Sequence, residues 1–187
     1  LVNFGKMTVE AAASAQAIKA QFEQVFGENR TQATDAVNAM AEQFGMLPNR
    51  IMPSFTALTS KFKGLGMTTE EAMAQATTAT NIAADAAAFY DKSMEESQSA
   101  LNSFVNGSYE AGESIGLFAN ETQLAGWAAQ NLGVDWNTLD EAGKQVARLE
   151  FAKAMQEAAG ATGQASRESD SYENQLGNMK QAWSDFA

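Results

Sequence analysis

The sequence predicts an all-α protein, a multi-helix globular bundle of short glycine-terminated helices, and three observations carry that prediction. Alanine, the strongest helix former, supplies 36 of the 187 residues, whereas valine and isoleucine together supply 11, too few for a sheet. Glycines at 27, 45, 64, 107, 116, 133 and 160 cut the chain into runs whose apolar residues recur every three or four positions. Several of these runs open on Ser or Thr followed three residues later by Glu, the spacing at which hydroxyl and carboxylate cap a helix start reciprocally. No repeat of fixed length survives the glycine spacing.

Taken in order, the first helix is expected from Thr8 to about Phe26. Val9, Ala12, Ala13, Gln16, Ala17 and Ala20, with Phe22, Val25 and Phe26 at its end, recur at a spacing close to three and four, the small residues favour close packing, and Gly27 is the stop. Asn29 or Thr31 caps a second helix that buries Ala33, Val37, Met40, Ala41 and Phe44 before Gly45. Pro48 and Pro53 bracket a kinked connection, because the residue before a proline is pushed out of helical dihedrals. A third helix then carries Phe55, Leu58 and Phe62 into the turn Lys63-Gly64-Leu65-Gly66. Thr68 with Glu71 caps a helix running through Ala72, Ala76, Ala79, Ala83, Ala86 and Ala87 to Phe89, with an unusual internal cluster of Thr77, Thr78 and Thr80.

Ser93 with Glu96 opens the next helix, whose buried stripe is Leu101, Phe104 and Val105 and whose end is Asn106-Gly107. A short amphipathic piece over 108–115 stops at Gly116, and a helix from Glu121 to Leu132 starts at Asn120. Thr138 with Glu141 reads as a third capping box, opening a helix to about Ala159. Residues 160–171 hold no large apolar side chain and read as an exposed linker. Beyond them, Tyr172, Leu176, Met179 and Trp183 recur at helical spacing as the seam of a last helix. The organisation is therefore 1–66 as N-terminal helices, in the same bundle or as a separate arm, 67–159 as a helical core, 160–171 as linker and 172–187 as the start of an elongated or oligomerising helix. The chain opens at Leu1 and stops inside a helical pattern, so it is expected to be a piece of a longer polypeptide whose last helix continues.

Composition argues against several function classes. Without histidine or cysteine the chain lacks the commonest general base, the thiolate nucleophile and the usual zinc ligands. Net charge is -11, and residues 67–187 alone hold -12, which repels phosphate and argues against nucleic-acid binding. There is no signal segment and no run of 18 apolar residues, so membrane contact would come only through parts of a parent chain outside this sequence. The carboxylate pairs Glu70-Glu71, Glu95-Glu96 and Asp140-Glu141 are the candidates for acid/base work, but each falls at a predicted helix start, where dipole and capping already explain negative charge. No catalytic, cofactor or metal residue is assigned, and a non-enzyme is expected. Leu176, Met179 and Trp183 are the protein-contact candidates, through which copies of the chain would associate.

One ordered series goes further. Gly66-Met67-Thr68-Thr69-Glu70-Glu71-Ala72 opens a helix, Asp85-Ala86-Ala87-Ala88-Phe89 follows, then Glu95-Glu96 with Ala100-Leu101, then Gly107, Glu110 and Gly116. Leu139-Asp140-Glu141-Ala142 starts a helix, and a Gly/Ser/Thr break leads to Asn174-Gln175-Leu176 and a Trp183-bearing helix. The series covers roughly 45–187 and resembles the core region of phage tail tape measure proteins. Asn120-Glu121-Thr122-Gln123 departs from it, being more polar than the pattern expects. The resemblance implies a structural protein whose length sets the tail tube length. Several copies would lie in the tube lumen or tail tip, touch tail tube and tail tip or baseplate proteins, and leave ahead of the DNA. It implies a location in the virion tail, and in the cytoplasm of the infected bacterium during assembly. The alternative is a membrane-active or secreted helical effector, suggested by Met67, Met73 and Met94 on Ala- and Gly-rich helices and opposed by the acidic charge.

Overall fold

The computed structural model describes residues 2–186, with side chains for 13–171 and 174–186. Every regular element among them is helical: α1 (Val2–Phe26), α2 (Arg30–Phe44), α3 (Pro48–Gly64), α4 (Thr69–Phe89), α5 (Met94–Val105), α6 (Tyr109–Gly112), α7 (Glu121–Asn131), α8 (Glu141–Ala159), α9 (Gln164–Arg167) and α10 (Tyr172–Phe186). Single 3-10 turns cover 27–29, 113–115 and 136–138.

Helix α4 is the centre. Along 82–87 six consecutive residues are buried, so this stretch is covered all round rather than on one stripe. Its alanines keep it thin, and α2, α3, α5, α8 and α9 pack around it. The Thr77, Thr78 and Thr80 hydroxyls each donate one turn back, to the Met73, Ala74 and Ala76 carbonyls at 2.9, 3.1 and 2.8 Å. Thr80 is thereby buried without an unpaired hydroxyl. The apolar core is continuous from Phe22 and Phe26 through Phe44, Phe55 and Phe62 to Leu101, Phe104, Leu149 and Ala165. On the α5–α8 side Phe104 stacks on Phe151 at 6.1 Å, and Trp127 meets the same ring edge-on at 5.4 Å.

The capping boxes at Thr68/Glu71 and Ser93/Glu96 form as the spacing predicts, each with side chain and backbone satisfied reciprocally. Ala33, Val37, Met40, Ala41 and Phe44 are the buried face of α2. Other expectations are corrected. Asn29, not Thr31, stands at the N-cap position of α2 but makes no side-chain cap bond; its amide donates instead to Gln32 at 2.6 Å, and a 3-10 turn carries α1 into α2. Pro48 and Pro53 do not bracket a connection: Pro48 is in the first turn of α3 and Pro53 lies inside it. Proline at a helix start forfeits no bond, and Ile51, Phe55 and Leu58 bury the helix on either side of Pro53 firmly enough to absorb its missing donor. The third box is not made by Thr138, whose hydroxyl donates to Asp135 O at 2.7 Å; Asp140 caps α8, accepting from Gly143 N at 2.8 Å.

The first helix begins before Thr8; on its expected packing face Ala13, Gln16, Ala17 and Ala20 are exposed, whereas Phe22 and Phe26 at its end are buried. Val9 and Ala12, expected on that face, lie outside the residues whose side chains are described.

Candidate functional site

The expected linker is where the fold departs most from the sequence reading. Residues 160–171 are folded onto α4, with Ala161 and Ala165 buried. The tie is Asp85, in the fully covered stretch of α4, whose carboxylate accepts from Gly163 N at 2.7 Å and Ala165 N at 3.0 Å. Asp85 thus acts as the cap of α9 from 80 residues away, pairing amides that α9 would otherwise leave free. Gln156 Nε2 donates to Ile82 O at 2.7 Å one turn before.

Helix α10 carries the protein-contact candidates, and the structure separates them. Leu176 is half-buried on the wall of a cleft of about 570 Å3 between α10 and the α4–α5 turn, lined also by Phe44, Met46, Arg50, Met94 and Gly177. Met179 and Trp183 face outward, 69% and 61% exposed. Phe186, 85% exposed and 6.4 Å from the Trp183 ring, extends their stripe. It is three residues beyond Trp183, so the spacing that picked out the seam reaches it. Tyr172, the first seam residue in the sequence, has its side chain outside the described residues.

The face of α10 that meets the body is polar. The Asn174 side-chain amide donates to Phe44 O, Gly45 O and Ser169 O at 2.7, 3.0 and 2.7 Å. Its Oδ1 accepts from Arg50 Nη1 at 2.7 Å. Asn178 donates to Gly45 O at 2.7 Å and accepts from Leu47 N and Arg50 Nη1, both at 3.0 Å. The two amides thus satisfy the C-terminal carbonyls of α2 and a free amide at the start of α3. Arg50 crosses α10 at Gly177, where any Cβ would overlap the guanidinium.

The carboxylate pairs are brought to no common cavity. Glu71 and Glu96 lie below the ordinary carboxylate range because the Thr68 and Ser93 amides, then their hydroxyls, bond the charged form. Glu141 accepts from Arg148 Nη1 and Gln145 Nε2, both at 3.1 Å. Arg148 is buried, donates also to Val105 O at 3.0 Å, and has its guanidinium 5.3 Å from the Trp136 ring and 5.8 Å from Tyr109. Partial burial pushes Glu141 up, yet the bonds from Gln145 and Arg148, with the Arg148 and Lys144 charges, hold it below the usual range. This arrangement ties the end of α5 to the start of α8 and presents no reacting pair. Among the described residues no group of three or more acidic side chains is placed to hold a metal, and no helix is long and apolar enough to cross a membrane. Comparison of the chain with family models, with curated proteins and with solved structures gave no match.

Proposed function

We propose that the chain is a structural module of a phage tail tape measure protein, the molecule that sets tail tube length, lies in the tube lumen or tail tip during assembly and leaves ahead of the DNA. The observation that carries the reading is the ordered series from Gly66 through Asp85–Phe89 and Gly116 to Asn174-Gln175-Leu176 and Trp183. The roles of these positions support it. Thr68 and Glu71 cap α4, Asp85 fastens α9, and Asn174 fastens α10, so the series describes an architecture and not a reaction. In this reading the chain is not an enzyme. Copies meet through the outward stripe of Met179, Trp183 and Phe186, tail tube and tail tip or baseplate proteins are the other partners, and DNA is not gripped.

The test uses the phage or prophage that encodes the chain. Antibody against the chain should label assembling tails and full virions but not emptied ones. An in-frame deletion elsewhere in the parent gene should shorten tails seen by electron microscopy. Normal tails without the parent gene, or purified tails lacking the chain, overturn the proposal. The exposed stripe also favours the second reading, a membrane-active helical effector, which flotation of the chain with zwitterionic vesicles would support.

A further inference from the structure

Helix α10 is built inside out. Asn174 and Asn178 face the body, Met179, Trp183 and Phe186 face away, and none of its described residues belongs to the continuous apolar core. We infer that α10 is a strap that releases from the α2–α3 corner as a unit while the body beneath stays folded. This goes beyond the tail reading and does not depend on it.

Three observations carry the inference. The first is the kind of attachment. Asn174, Asn178 and Arg50 hold the strap by hydrogen bonds to the corner over 44–47, and such bonds are exchanged for bonds to water at small net cost, unlike buried apolar surface. The second is incomplete closure: the cleft of about 570 Å3 between α10 and the α4–α5 turn leaves Leu176 only half covered. The third is the make-up of the body's core, since Phe44, Ile51, Phe55 and the buried residues of α4 belong to one apolar cluster that includes no described residue of α10, and Asp85 has already fastened α9. Regions with few apolar contacts open at lower free energy than the global transition. A 15-residue helix loses most of its order once undocked, so release is read by its own amides.

Gly177 makes the inference sharply testable. Alanine inside a helix ordinarily slows amide exchange by favouring the helix. Here the new Cβ meets a guanidinium whose Nη1 is pinned to Asn174 and Asn178, so docking weakens and exchange should quicken. Native-state hydrogen exchange of the whole chain, read by mass spectrometry, compares 175–186 with α4. In the parent chain α10 should exchange by an opening that α4 does not share. Gly177→Ala and Asn174→Ala should each speed α10 exchange about tenfold or more, with α4 rates unchanged. Slower exchange in Gly177→Ala, no change in Asn174→Ala, or α10 amides that open only together with α4 would overturn it.

Discussion

At the scale of single residues, the buried polar groups do the specifying. Asp85 alone supplies the acceptor for two amides of the α8–α9 turn. Replacing it with alanine strands both donors, and an unsatisfied buried donor costs about 1–3 kcal/mol. Asp85→Ala should therefore lower stability by about 2–4 kcal/mol in urea unfolding; a change under about 0.5 kcal/mol would show that water replaces the carboxylate. Glu141 gives a pH signature with a definite sign. Its folded value is depressed, so its contribution is present above the ordinary carboxylate range and is lost as pH falls through the lowered folded value. The acid loss of stability should be shallower in Glu141→Gln than in the parent chain, followed by the unfolding midpoint between neutral pH and the acid limit. Identical pH profiles would remove Glu141 from the account.

At the scale of elements, local signals and long-range ones part company. The boxes of α4 and α5 were readable because cap and partner are three residues apart, and Thr68→Ala should cost about 1 kcal/mol, measured as a lowered urea midpoint. Asn120 with Gln123 makes a third true box, which accounts for the polar residues that depart from the tape measure pattern. The end of α4 holds the opposite device. Asp91 has φ of +52° in the left-handed position where glycine is usual, with Lys92 N bonded back to Ala87 O at 2.9 Å. Asp91→Gly should raise stability by up to about 1 kcal/mol; a lowered midpoint would mean the carboxylate has a role of its own. The rest was hidden for physical reasons. Spacing shows that α10 has an apolar face but not that its asparagines dock instead. Residues 160–171 looked like linker because alanine burial and a distant carboxylate leave no hydrophobic period. Pro53 was misread because tertiary packing on both sides of it outweighs one lost bond.

At the scale of the whole molecule, the charge of -11 should keep the chain off DNA, and fluorescence anisotropy with a duplex at physiological salt should show no binding; micromolar affinity would contradict the proposed exit from a DNA-filled tube. The Asp85 contact also bears on the order in which the molecule is made. Seventy-eight and 80 residues separate that carboxylate from its partners at Gly163 and Ala165. While a ribosome has yet to deliver residue 165, enclosing Asp85 on α4 would leave its carboxyl group buried without its two partners. The nascent bundle waits half-open, with Asp85 on its central helix still wet, until residues 163–165 emerge.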